Sequence, residues 1–177
     1  MNYSQQRAVI IKLIKSLAEN DSWCGETHIQ KASYCLKEVT KTPIEFEFIL
    51  YKHGPFSFDL RDELTAMRAD GLLDIEVNPY PFGPSLKVTE TGIDVIRRFP
   101  KTVGEYEEKI NFISGFLGNK GVAELERLAT ALYVSIPEEA GDRAVQINSL
   151  KPHISLDLAR KAVTEIDRMI QSYNGLP

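Results

Sequence analysis

The stretch Ser57-Phe58-Asp59-Leu60-Arg61-Asp62-Glu63-Leu64-Thr65-Ala66-Met67-Arg68-Ala69-Asp70-Gly71-Leu72-Leu73-Asp74-Ile75-Glu76-Val77 decides the fold. Two periods meet in it. Leu60, Leu64 and Met67 recur at helical spacing, Ser57 is an N-cap residue type and Asp59 suits the positive end of a helix. A helix over about 58–69 is expected, stopped by Gly71. Leu73, Ile75 and Val77 then alternate with Asp74 and Glu76, the period of a strand. Prolines 79, 81 and 84 make the following segment a loop, and Leu86-Lys87-Val88 reads as a short returning strand.

Upstream, Val9, Ile10, Leu13, Ile14 and Leu17 form one helical face, with Ser4 as the expected N-cap and Asn20-Asp21 at the end. Thr27-His28-Ile29-Gln30 has the form of a capping box and predicts the start of a second helix. Its apolar face is Ile29, Ala32, Cys35, Leu36 and Val39, and Pro43 ends it. From Ile44 to Tyr51 the period falls to two: Phe46, Phe48 and Leu50 alternate with Glu45, Glu47 and Ile49, a β signal. The order helix, helix, helix, hairpin is that of a winged helix-turn-helix, expected over residues 1–99 of an α+β, mostly helical chain.

Thr89-Glu90-Thr91-Gly92 opens a further helix that Pro100 breaks, and resembles the T-x-x-G turn that follows the wing in bacterial winged-helix regulators. Residues 100–177 are expected to be a helical extension packed on the first part. Thr102-Val103-Gly104-Glu105 reads as another capping box, ahead of Tyr106, Ile110, Ile113 and Leu117. Leu125, Leu128, Ala129 and Leu132 follow the Gly121 break, a shorter helix spans about 143–150, and Ser155 caps a last helix. The stripe Ala159, Ala162, Val163, Ile166, Met169 and Ile170 of that helix needs an apolar partner. It is expected to pack on the helix starting at Thr102 or to seal a homodimer.

Composition is that of a globular chain: 43% hydrophobic and 26% charged over 177 residues. Residues 1–99 carry twelve basic and fourteen acidic side chains, and residues 100–177 nine and eleven. Neither part is a basic arm, which argues against strong unspecific nucleic-acid binding. The polar start of the chain and the absence of a long apolar run predict a cytoplasmic protein with no membrane partner. Two cysteines, Cys24 and Cys35, make no disulfide framework.

Tyr51-Lys52-His53-Gly54-Pro55-Phe56-Ser57-Phe58-Asp59-Leu60, with Leu64 and Gly71-Leu72-Leu73, is similar to bacterial and archaeal winged-helix proteins of the YwgA type. The late segment Leu150-Lys151-Pro152-His153-Ile154-Ser155 extends the resemblance to nearly the whole chain. More distantly, Gly54-Pro55 after a β segment resembles Panacea antitoxin and adaptor domains. The resemblance implies a fold and supplies no catalytic residues. Chemically, Gly54 adopts backbone angles closed to other residues and Pro55 fixes chain direction. His53, Gly54, Pro55 and Ser57 are therefore expected to form a structural turn that positions the third helix.

The third helix is the expected DNA-reading element, with Arg61 and Arg68 as base-edge candidates and Lys31, Lys37 and Lys87 as phosphate candidates. Asp59, Asp62, Glu63 and Asp70 on the same helix oppose that role. The loop aromatics Tyr80 and Phe82, held between prolines, are the candidate protein contacts. Cys24, His28 and Cys35 are metal-ligand types, but residues 28 and 35 stand about 10 Å apart along one helix, and Cys35 lies on the apolar stripe. No metal or cofactor is expected. His53 and His153 are far apart in sequence and no nucleophile motif accompanies them, so no catalytic residues are assigned. The sequence thus predicts a non-enzymatic regulatory binding module, with a protein partner ahead of DNA and an unrecognised enzyme as the third reading.

Overall fold

The computed structural model describes residues 1–79, 83–136 and 141–175. Among them are eight helices and four short strands: α1 (Tyr3–Glu19), α2 (Glu26–Thr40), β1 (Ile49–Tyr51), β2 (Gly54–Phe56), α3 (Phe58–Ala69), β3 (Leu73–Glu76), β4 (Ser85–Val88), α4 (Glu90–Arg98), α5 (Pro100–Leu117), α6 (Val122–Ser135), α7 (Arg143–Leu150) and α8 (Leu156–Asn174). The fold is α+β and mostly helical. Its sheets are two separate antiparallel pairs, Ile49–Tyr51 with Gly54–Phe56 and Leu73–Glu76 with Ser85–Val88.

Burial follows the predicted stripes. Val9, Ile10, Leu13, Ile14 and Leu17 of α1 are buried against α5, and Ile29, Ala32, Cys35 and Leu36 of α2 meet α5 and α6. The core continues from α1 through α6 to Ile166 and Met169 of α8 without a break. The expected partner of α8 is corrected: α8 packs chiefly on α6 and α7, while α5 is taken up by α1 and touches α8 through the Phe112–Tyr173 ring pair. Its buried stripe, Ala159, Ala162, Ile166 and Met169, is thus covered within the chain.

Three expected helix starts shift. Asn2, not Ser4, caps α1: its side chain accepts from Gln5 N–H at 2.9 Å, and Gln5 Oε1 accepts from Asn2 N–H at 2.9 Å. Helix α2 begins at Glu26 behind Gly25, and α5 begins at Pro100, so Thr27 and Thr102 fall inside first turns. Proline at the first position loses no hydrogen bond there, which outweighs a capping pattern two residues later. The predicted caps Ser57 and Ser155 hold their helices, and Thr89, expected to open α4, is its cap.

The period-two stretch keeps its faces but not its ladder. Ile44 and Phe46 are buried and Glu45 and Glu47 exposed, yet only residues 49–51 pair as a strand. Side chains serve the backbone before that point: Glu45 N–H donates to Gln6 Oε1 at 2.8 Å, and Phe46 O accepts from Lys37 Nζ at 2.6 Å. Gly54 and Pro55 in turn are strand residues, and the turn itself is Lys52-His53.

The Thr89–Gly92 turn ties the second hairpin to α3. Thr89 Oγ1 donates to Gly71 O at 2.7 Å and accepts from Gly92 N–H at 3.0 Å. A Cβ at Gly92 would collide with the Leu72 carbonyl and sit 2.9 Å from Val88 Cγ1. Gly92→Ala is therefore expected to lower stability by about 1–3 kcal/mol. Gly104→Ala, within α5 and with open space around its Cβ, should raise it by about 0.5–1 kcal/mol. Urea titration of both variants checks the pair; equal effects would contradict the packing at Gly92.

Candidate functional site

The β1–β2 hairpin is built from behind by buried polar groups. Lys31 of α2 is only 2% exposed and its Nζ donates to Pro55 O at 2.9 Å. Lys151, after α7, donates to Tyr51 O and, at 2.7 Å, to Lys52 O. Gln30 clasps Ser57, accepting from its N–H at 2.9 Å and donating to its carbonyl at 2.8 Å. Gly54 has φ +84°, and a Cβ there would sit 3.1 Å from Thr130 Oγ1 and 3.3 Å from Glu126 O. The stretches 51–60 and 150–155, far apart in sequence, meet at this point.

Glu126 of α6 is the counter-charge. Its side chain is 9% exposed, with Lys151 Nζ 3.8 Å and His153 Nε2 3.2 Å from Oε1 and His53 Nδ1 3.7 Å from Oε2. Oε1 has no hydrogen-bond partner among the described residues. Burial pushes the Lys31 ammonium down to about 8, against the opposing pull of Glu126. Lys151 is lowered by burial too, again opposed by Glu126. Leaving a carbonyl or a charge unmatched here would be costly, so the group fixes the hairpin rather than decorating it.

In front of this support lies an apolar face. Ile49, Tyr51 and Phe56 share one side of the hairpin, and Phe58 opens α3 beside them. Ile49 is 50%, Tyr51 52% and Phe58 40% exposed. The rings of Tyr51, Phe56 and Phe58 are mutually 5.1–5.7 Å apart, two of the three pairs edge to face. Arg61 stacks on Phe58 with 5.0 Å between its guanidinium carbon and the ring centre.

Helix α3 also carries a polar row. Arg61, Thr65 and Arg68 line a groove shared with Ile75 and Leu86 of the second hairpin. The acidity counted against this helix is partly directed elsewhere. Arg7 of α1 binds Glu63 at 2.5 Å and Asp70 at 2.6 Å, on the flank away from the groove. Asp62 remains outside, paired with Arg61 at 3.1 Å.

The five expected DNA contacts do not form one surface. Arg61 and Arg68 lie together. Lys31 is inside the protein, which corrects its assignment as a phosphate contact: a stripe of helix polar positions gave no sign that the Pro55 carbonyl needs a donor. Lys37 is tied to Phe46 O, and Lys87 lines a different cleft with Glu76 and Glu90. Tyr80 and Phe82 lie outside the described residues. Cys24 and Cys35 are buried free thiols, Cys35 pushed up to about 12 by burial. Among the described residues no group of three His, Cys, Asp or Glu is placed to hold a metal ion, and no helix is long and apolar enough to cross a membrane.

The exposed aromatic face and the roles of Glu126 and Lys151 were not anticipated. A signal for the former existed: Phe48-Ile49-Leu50-Tyr51 is apolar on both alternating faces, so one of them had to be left outside. Glu126 carried none, because a glutamate within a helix looks like a solvent residue until its neighbours are known. The chain matches no protein-family model and no curated protein.

Two predictions follow from the support. Gly54→Val should destabilise the fold by about 1–3 kcal/mol, through backbone strain and contact with α6, while His53→Ala changes it much less; a Gly54→Val protein melting like wild type would remove the strain argument. For Lys31, the folded pKa lies below the unfolded one, so its charge costs stability below pH 8. That cost, about 3 kcal/mol, is relieved as pH rises from 8 towards 10.5. Chemical denaturation of wild type and Lys31→Met, compared from pH 7 to 10, should show the difference moving in favour of wild type. A difference flat in pH contradicts it.

Proposed function

We propose that residues 1–99 are a winged helix-turn-helix and that the chain is a non-enzymatic regulatory binding module whose partner is a protein, engaged by the face of Ile49, Tyr51, Phe56 and Phe58. The single observation behind this reading is that this aromatic face is exposed on a hairpin held in place by two buried lysines and a glutamine. Aromatic side chains with an adjacent arginine are what the centre of a protein interface is made of. A pre-shaped face also loses little entropy on binding. The resemblance to antitoxin and adaptor domains points the same way.

DNA binding is the second reading, favoured by the Arg61–Thr65–Arg68 row and by Arg7 holding Glu63 and Asp70 aside. The α3 helix would then lie in the major groove with the second hairpin as the wing.

One pair of assays separates the two. Affinity purification of the full chain from its own cells should yield a stoichiometric protein partner, weakened by about 2 kcal/mol or more in Tyr51→Ala and Phe58→Ala and unaffected in Arg68→Ala. Genomic-fragment selection at low and moderate salt is the counterpart. A discrete DNA site lost in Arg68→Ala and kept in Tyr51→Ala would overturn the protein reading.

A further inference from the structure

The outer edge of β1 is open. Strand β1 pairs with β2 and with no other strand among the described residues. Leu50 stands opposite Pro55, which has no N–H and turns its carbonyl outward to Lys31. In an antiparallel pair such a position points the backbone groups of both residues away from each other. The N–H and C=O of Leu50 therefore face the open edge, ready to accept another strand.

Beside that edge is a cleft of about 430 Å³ lined by Tyr34, Phe48, Ile49, Tyr133 and Ile136, within the range of ligand pockets. Tyr34 is 2% exposed and its hydroxyl has no hydrogen-bond partner among the described residues. A buried hydroxyl without a partner is unfavourable, and a ligand group that reaches it removes the deficit. The rim is acidic: Glu38 and Glu47 border the cleft, while the Lys37 ammonium is committed to Phe46 O. Ile49 belongs both to this cleft and to the aromatic face.

We infer that the β1 edge and this cleft bind an extended peptide segment of the partner protein, rich in alternating apolar residues and carrying a lysine or arginine. The inference rests on the protein-binding reading and names the chemistry of what is bound. The segment adds a strand beside β1 through its backbone. One of its side chains fills the cleft and meets the Tyr34 hydroxyl with a polar atom, and its basic residue pairs with Glu38 or Glu47. This is strand addition, in which backbone bonds supply affinity and the side-chain pocket supplies selectivity.

Selection of a random-peptide display library on the full-length chain tests this. Enriched peptides should alternate apolar residues and include a basic one. Affinity of a selected peptide should fall at least about tenfold in Ile136→Glu, an exposed position whose change leaves the fold intact. It should fall also in Tyr34→Phe without any loss of thermal stability. Methylating alternate backbone amides of the peptide in one register should abolish binding, and in the other register should not. Failure to enrich such peptides, or binding indifferent to Ile136→Glu and to amide methylation, overturns the inference, as does sedimentation showing that a second copy of this chain occupies the edge. A protein partner lost in Tyr51→Ala but indifferent to Ile136→Glu would sink this inference alone and leave the proposed function standing.

Discussion

The contact on which the structure depends is that of two lysine ammonium groups with the backbone carbonyls of a hairpin whose strands are three residues each. Lys31 reaches Pro55 from α2 and Lys151 reaches Tyr51 and Lys52 from the far end of the chain. A hairpin this short is not stable by itself in water. Here its carbonyls accept charge-assisted bonds, its Gly54 lies against α6, and Glu126 offsets the buried positive charge. The first and last parts of the chain are thereby locked at one point.

That arrangement explains why the C-terminal helices belong to the site. Helix α6 supplies the floor under Gly54 and the carboxylate beside Lys151, and the segment after α7 supplies Lys151. Removal of any one of these would leave a buried charge or a bare carbonyl, which costs more than the intact group contributes. Interactions of this kind specify geometry more than they add stability. What they specify is the direction in which Ile49, Tyr51, Phe56 and Phe58 point.

Much of the helical frame was legible in the sequence because amphipathic stripes are local. The stripe of α1, the Ser57 cap of α3 and the start of α8 all follow from spacing and cap chemistry. After Tyr51 the sequence marks only a turn, since Gly-Pro signals a change of direction without saying that the flanking residues pair. The partner of α8 is not legible, because a stripe records how wide an apolar face is and nothing about which other face covers it. Lys31 illustrates the same limit in reverse. Its position among polar helix residues suggested solvent, and only the Pro55 carbonyl, 24 residues on, turns it inward. Likewise the acidity of α3 could be counted from the sequence, but the direction in which Arg7 draws Glu63 and Asp70 could not.

The central claim is that the hairpin is a rigid platform held from behind, and backbone order measured by NMR relaxation at residues 50–56 tests it most directly. The account predicts order parameters as high as in the helices, about 0.85, falling over this segment alone in Lys151→Ala. Values below about 0.6 in the wild-type hairpin would contradict it, since a floppy face has no use for buried lysines.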